Sequence, residues 1–543
     1  MLGALMRVFL VHVRDPQFYA IPGTKREKNG RTRIMGFPPI GIMSLSSVLK
    51  RSGHEVVLFD QANPDTPDDF IIREMRRRRP DLVGLSFLST TSYPYAKMLA
   101  RRMRAADRGV KIAFGGVFAS LNAQRVKMQV PEVDFVCRGD GEQLILDLLE
   151  RLEDPATVEG VTWQEKDGRL RHNPSRVLDR NLDQWPFPDR ESLPLDFVES
   201  MPLDVPAVLS LDSFTTMQTS RGCPWPCIFC DIPMFNEGKW RARSADHVVG
   251  ELRQLQQDGY GGVFFVDDHF LLQPERIEAI CRGINEHGVT IEWGCEGRVD
   301  STCMDLFPAM ARAHCRTLMF GIESGSQKIL DRLKKEQTLQ EIEAAVSNAK
   351  KAGIQIVHGF FVVGIPDESE EDLRSTFRFA SKIPIDSFGF NRMCVYRGTP
   401  LWQEYVRRGL VSDAADWYKY FKCTSIDPTC LPGEEVHRIR SEEMRKLILY
   451  KFTHHPLQTF RLLRRFTRHM PLRDVLYLLV KPFLGQKKGA TRAEVISRAV
   501  EHGDLKSAAA DMTQVADEAL EEAIRNFRDD RAPVQAEAEG AGT

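Results

Sequence analysis

The segment Cys223-Pro-Trp-Pro-Cys227-Ile-Phe-Cys230 sets three thiols at C-x3-C-x2-C spacing on one short loop. Three thiolates so placed can hold three corners of a cubane iron–sulfur cluster. The fourth iron is then left without a protein ligand, which is what a catalytic metal needs. A tetrahedral zinc site wants a fourth Cys or His close by. None follows within the next sixteen residues, and His247 is the first. The other eight cysteines (Cys137, Cys281, Cys295, Cys303, Cys315, Cys394, Cys423 and Cys430) are scattered singly and read as small buried hydrophobes. The close-set triplet points to metal ligation rather than to a disulfide framework.

Positioning such a loop takes a scaffold, and the chain is long enough for two or three domains at 543 residues. It is 42% hydrophobic and 27% charged, an ordinary soluble composition. Lys and Arg (74) balance Asp and Glu (75), which argues against a nucleic-acid partner. Arg7 breaks the first apolar run, and no stretch approaches the roughly 20 apolar residues of a membrane span. A cytoplasmic protein is expected.

Residues 1–180 alternate apolar runs with amphipathic stretches, which predicts an α/β, doubly wound, Rossmann-like domain. Expected strands are Arg7–Val13, Glu55–Asp60, Leu82–Phe87, Lys111–Phe114 and Phe135–Arg138, with helices such as Ile40–Arg51 and Tyr93–Ala105 between them. Ligands bind beyond the carboxyl ends of such strands. Those ends carry Ser86, Ser89, Thr90 and Thr91, then Gly115 and Gly116, then Arg138-Gly139-Asp140-Gly141-Glu142, and together they predict a cofactor crevice. A Pro- and Asp-rich linker is expected over 181–205. Residues 206–400 hold a second series of strands: Thr215–Thr219, Gly262–Val266, Ile291–Gly294, Thr317–Phe320, Ile354–Val363 and Ser387–Asn391. With helices such as Ala245–Gln257 and Leu339–Ala352, they predict a partial (β/α)6 barrel whose reactive groups sit at the carboxyl ends of its strands. The three cysteines follow its first strand. A helical C-terminal region is expected over 401–528, and 529–543 is too polar to fold and predicts a disordered tail.

The three-cysteine spacing with aromatic Phe229 before the third Cys, over the span from about Thr215 to Pro400, resembles the radical S-adenosylmethionine (SAM) superfamily. That resemblance implies a 4Fe-4S cluster on Cys223, Cys227 and Cys230, with the open iron chelating SAM and Phe229 near the adenine. One electron then cleaves SAM to methionine and a 5′-deoxyadenosyl radical, chemistry that a cofactor must carry. Gly321-Ile-Glu-Ser-Gly325 is similar to the family's SAM-binding strand end. Glu323 would accept from SAM hydroxyl or amino groups, and Ser324 would donate to its carboxylate. Asp267 and Asp268 stand where many members carry Gly-Gly-Glu for the SAM amino group. Arg298 and Gly364-Ile-Pro366 also match family positions, and Arg241 and Arg243 are candidates to meet a carboxylate or phosphate.

The order of domains resembles the cobalamin-binding branch of the superfamily. Further carriers are Pro38-Pro-Ile-Gly41, Gly115–Gly116, Gly139-Asp-Gly-Glu142, Phe187-Pro-Asp189 and Tyr396-Arg-Gly-Thr-Pro400, the last departing at Arg397 from the usual Pro. The first domain is thereby implied to bind cobalamin, with Ser86, Gly115, Gly116, Gly139 and Glu142 as candidate contacts. The chain has no Asp-x-His-x-x-Gly, so cobalt would lack a protein histidine; a domain that packs on the barrel and binds nothing is the rival. The resemblance implies a methyltransferase acting through methylcobalamin on an unactivated carbon, or phosphorus, of a small-molecule or lipid-like substrate. An oxidative cyclase and a non-catalytic cobalamin or iron–sulfur sensor are the alternatives. Methylthiotransfer, which needs three more N-terminal cysteines, is disfavoured because only Cys137 precedes Cys223. The implied partner is a one-electron reductant such as flavodoxin or ferredoxin. Between Arg445 and Lys488 stand eleven Lys or Arg and one acid, Asp474. That region is expected to cap the barrel, with peripheral membrane contact through 445–488 as the alternative. The basic loop Lys25–Arg33 is placed to cover the cofactor crevice.

Overall fold

The computed structural model describes residues 5–14, 27–28, 31–32, 37–61, 66–90, 92–193, 214–299, 301–412 and 431–469. Thr91, most of the basic loop 25–33, part of the linker, Cys423, Cys430, residues 470–528 and the tail 529–543 lie outside the described residues.

Near-continuous apolar runs make the strands of the first domain, as parallel strands covered on both faces require. They are β1 (Arg7–His12), β4 (Glu55–Asp60), β5 (Leu82–Ser86), β6 (Lys111–Gly115) and β7 (Phe135–Cys137). A two-strand ribbon, β2 (Glu27–Lys28) with β3 (Arg31–Thr32), lies between β1 and β4 in the chain. The sheet order is β4-β1-β5-β6-β7, parallel throughout, then two antiparallel edge strands, β8 (Val161–Gln164) and β9 (Leu170–His172). The order reverses between β4 and β5, on the two sides of β1, which opens a crevice above the carboxyl ends.

Six parallel strands in sequential order form the second sheet: β10 (Phe214–Met217), β13 (Gly262–Phe265), β14 (Glu292–Gly297), β15 (Cys315–Glu323), β16 (Ile356–Val363) and β17 (Ser387–Arg392). A small antiparallel pair, β11 (Ser220–Arg221) with β12 (Arg241–Ala242), brackets the cysteine loop. Trp293, Cys295, Leu318, Phe320, Val357, Phe361 and Phe390 join the helix-side core. Strand alternation therefore turns Glu296, Thr317, Met319, His358, Ser387 and Gly389 to the inside of the barrel. Helix Gly433–His454 packs on helix Glu370–Lys382, and buried Lys451 donates to the carbonyls of Ile383 and Ile385 at 3.2 and 3.0 Å.

The two sheets share a core. Phe87, Phe114 and Phe118 of the first domain belong to one buried cluster with Ile228, Ile329, Met393, Leu401 and Trp402 of the second. Phe37 stacks on Phe264 inside the barrel at 5.8 Å, and the Pro38 carbonyl accepts from Thr216 Oγ1 at 3.3 Å. The Pro38-Pro-Ile-Gly41 segment is thus a plug that joins the domains. The linker adds ties: Asp189 receives Lys50 Nζ at 2.8 Å, and Arg190 meets buried Glu251 at 2.7 Å.

Candidate functional site

The cysteine loop is held at both ends and in its middle. Gly222 adopts φ 89°, and a Cβ there would stand 2.1 Å from the Lys239 carbonyl, so only glycine lets the loop fold back on itself. Asp267, 2% exposed, accepts from Thr219 N and Ser220 Oγ at 2.6 Å each and also from Thr219 Oγ1. Asp268 accepts from Gly222 N at 2.7 Å. In the middle, Ile228 N donates to Leu333 O at 3.2 Å, and Leu401 N donates to Ile228 O at 3.0 Å.

Cys223, Cys227 and Cys230 are unpaired thiols, with Cys227 buried. Burial raises Cys230, and the Cys227 and Cys223 charges raise it further, so the three sulfurs share one electrostatic neighbourhood. Burial also raises Cys223, opposed by the cations Arg298 and Lys335. Arg298 Nη1 approaches Cys227 Sγ at 3.2 Å, and its guanidinium lies 4.3 Å from the Trp225 ring centroid. Its other end donates to the Lys335 carbonyl. Among the described residues no group of three His, Cys, Asp or Glu converges on a single ion. A cubane needs no such convergence, because each thiolate binds its own iron. Three thiols with two cations beside them fit an anionic cluster.

Lys335 is a residue that sequence reasoning did not single out. Its Nζ donates to Glu323 Oε1 at 2.7 Å, and both are buried. Glu323 sits at φ 68°, a strained position for glutamate at the mouth of β15. The only sequence signal for Lys335 is its place twelve residues after Glu323, which no motif marks.

Of the two aspartates, Asp267 spends its oxygens on the loop, whereas Asp268 keeps spare acceptor capacity at the barrel mouth. Desolvation raises the Asp268 acid to about 6 against the Gly222 N–H bond. Below it Glu296, another residue the sequence did not single out, has no hydrogen bond or ion pair among the described residues. Burial and then the Asp268 charge push it up to about 7. Ser324 Oγ lies 3.0 Å from Thr376 Oγ1, and either hydroxyl can be the donor. Fully buried, Ser324 is held against helix Glu370–Lys382 through Thr376. Phe229 is half-buried and packs against the core shared by the two domains.

Arg241 and Arg243 do meet carboxylates, but internal ones: Arg241 pairs with Asp140, and Arg243 with Glu251. Arg221, two residues before Cys223, reaches both Asp140 Oδ1 and Glu142 Oε2 at 3.2 Å. Glu142, 4% exposed, therefore ties the first domain to the cysteine loop and has little left to offer a cofactor. Above the first sheet, Ser86 ends β5 half-buried. A Cβ at Gly115 or Gly139 would meet nothing within 4 Å, so bare backbone faces open space there, as a broad flat ligand requires. Gly116 differs. At φ 99° its Cβ would stand 2.3 Å from Phe87 O, so packing of the chain, not a ligand, demands glycine. This cradle fits cobalamin bound through backbone contacts.

Residues 217–380 match the family model of the radical SAM superfamily, and residues 32–149 match that of the B12 binding domain. An uncharacterized methyltransferase of Pyrococcus horikoshii is 32% identical over 77% of this chain and 87% of its own length. The anaerobic magnesium-protoporphyrin IX monomethyl ester cyclase of Rubrivivax gelatinosus is 24% identical over 88% of this chain and 82% of its own. The cobalamin-dependent SAM radical enzyme OxsB, solved with aqua-cobalamin bound, shares the fold. Its TM-score is 0.66 at 17% identity, covering 97% of this chain and 84% of that one. The three-thiol loop at the mouth of a six-stranded barrel, the crevice sheet before it and these matches agree: the chain belongs to the radical SAM superfamily, in the branch whose enzymes combine a 4Fe-4S cluster and SAM with a B12-binding domain.

Proposed function

We propose that this enzyme is a methyltransferase acting on an unactivated carbon, or phosphorus, of a small-molecule or lipid-like substrate. The observation that carries it is the arrangement of the three cysteines: with Cys227 buried, Cys223 and Cys230 half-buried, and Arg298 and Lys335 beside Cys223, they lie at the barrel mouth where Arg221 and Arg241 bind the loops of the B12-binding domain. When bound, the cluster and SAM supply the radical that removes hydrogen, and cobalamin supplies the methyl group. The chain's own residues hold and shield. Cys223, Cys227 and Cys230 grip three irons, Arg298 hydrogen-bonds a ligand sulfur, and Asp268 takes the SAM amino group. Glu323, steadied by Lys335, would accept from SAM hydroxyl or amino groups, and Phe229 would stand near the adenine. Ser86, Gly115 and Gly139 would line the cobalamin site. The shared core around Phe87 and Trp402 keeps water from the space between the domains. Residues 1–180 serve as the cobalamin domain and 206–400 as the barrel, with the described helices Gly433–His454 and Pro456–His469 beside it.

We place the enzyme in the cytoplasm with a flavodoxin- or ferredoxin-like electron donor; no described helix is long and apolar enough to cross a membrane. Helix Pro456–His469 exposes Leu457 and Phe460 beside Arg461 and Arg464, which supports a lipid-like substrate delivered from a membrane surface. The test is reconstituted protein, reductant and methyl-labelled SAM incubated with cell extract. Label should enter product, and Cys227→Ala should abolish both label and 5′-deoxyadenosine. 5′-Deoxyadenosine with unlabelled product would indicate cyclisation instead, and no 5′-deoxyadenosine at all would indicate a sensor.

A further inference from the structure

One inward layer of the barrel carries polar groups that are only partly paired. Glu296 registers with Met319, Met319 with His358, and His358 with Ser387, so four successive strands put these side chains at one height. His358 is 4% exposed, and its Nδ1 lies 2.8 Å from Ser387 Oγ. Its Nε2 has no hydrogen-bond partner among the described residues, and neither does Thr317 Oγ1 one layer below. An unsatisfied buried ring nitrogen is costly, so its persistence calls for a partner that arrives with a ligand. Met319 lies between the two polar groups as an apolar, adaptable floor.

The next layer toward the mouth is Gly321, Phe360 and Gly389, in register on β15, β16 and β17. Two of its three positions lack a side chain. At Gly389 a Cβ would stand 3.5 Å from His358 Nε2, so that nitrogen points up toward the mouth and into the gap. At Gly321 the missing side chain leaves room for the Glu323–Lys335 pair, with Lys335 Nζ 3.1 Å from where a Cβ would be. Phe360 walls the other side, its ring 4.4 Å from that of His358.

We propose that this recess seats a hydroxyl or amine of the substrate, with Glu296 accepting its hydrogen and His358 Nε2 completing its hydrogen bonding above Met319. A hydroxyl or amine can donate and accept at once, which suits a carboxyl facing an imidazole. A phosphate or carboxylate does not fit there. Its neighbours there are a carboxyl and an imidazole that burial keeps neutral, and the nearby cations Arg298 and Lys335 are already engaged, by Cys227 and Glu323. Glu296 and His358 would thus set which part of the substrate faces SAM. The inference rests on the proposed function only in placing a substrate at the barrel mouth, not in methyl transfer.

The test uses full-length protein reconstituted with cluster and cobalamin, and a metabolite extract split by ion exchange into cationic, neutral and anionic fractions. The readout is 5′-deoxyadenosine formation with each fraction, divided by the same protein's rate without it. The cationic or neutral fraction should stimulate the wild type. Glu296→Leu and His358→Phe should each cut that ratio about tenfold, the loss of one buried hydrogen bond, and Gly389→Leu should cut it by filling the gap, all with iron content intact. His358→Gln should regain part of it. Stimulation by the anionic fraction alone, by no fraction, or at wild-type ratio in all three variants overturns the proposal. Stimulated cleavage that leaves a SAM methyl label out of product would sink methyl transfer while leaving the recess standing.

Discussion

The pair Asp267–Asp268 illustrates how identical side chains are assigned different work by their surroundings. Thr219 and Ser220 saturate the first, while the second keeps oxygens for the barrel mouth. Asp267→Asn should therefore weaken the cysteine loop itself, lowering cluster yield on reconstitution. Asp268→Asn should leave iron content normal and raise the SAM dissociation constant, which equilibrium dialysis with labelled SAM would measure. His358 carries a second residue-scale prediction. Burial lowers it from an ordinary 6.5 to about 3. The unfolded chain then binds the extra proton between those values, so stability from this group is complete above about pH 6.5 and drains as pH falls toward 3. Urea midpoints should drop more from pH 7 to pH 5 for the wild type than for His358→Gln; equal slopes would contradict the assignment.

Elements here are set by local chemistry wherever a motif closes on itself. Helix Leu339–Lys351 begins with a capping box, Thr338 bonding Glu341 N and Glu341 returning to Thr338 N. Apolar spacing predicts that helix and Ala245–Gln257 to within a residue. The strand ends were less legible. Expected Thr317–Phe320 is Cys315–Glu323, because its tip is paired by β16 across a bulge rather than by any residue pattern. The edge strands β8 and β9 were not foreseen, since a three- or four-residue strand gains its stability from the neighbouring sheet. Gly116 belongs to this scale. Gly116→Ala forces a Cβ into the Phe87 carbonyl at positive φ and should cost more than ~1 kcal/mol, read as a lowered thermal midpoint. Gly139→Ala, open on all sides, should bear its cost in cobalamin retention as well as in its own positive φ.

At the scale of the whole molecule, the two cofactor modules are joined by charge beside the chemistry. Arg221 and Arg241 leave the cysteine loop to meet Asp140 and Glu142 on the loop after β7. Arg221→Met would strand Glu142 as a buried uncompensated acid, while Asp140 keeps Arg241, a change expected to cost about 3–5 kcal/mol. The double variant Arg221→Met with Glu142→Leu should recover much of that loss in chemical denaturation. If the single variant unfolds at the wild-type midpoint, the latch is not holding the domains.

By itself the sequence determined the chemistry and the class of fold. Ligand spacing, apolar periodicity and glycine-bearing strand ends are local patterns, and the thiol triplet, both sheets and the order of domains follow from them. Tertiary structure alone decided which carboxylate is spent and which is free, that Ser324 faces a helix, that Glu142 answers an arginine 79 residues away, and that Glu296 and His358 share a height. Those outcomes depend on register between strands distant in the chain. Register is chosen by the packing of the whole barrel and leaves no mark on a stretch of residues read one after another.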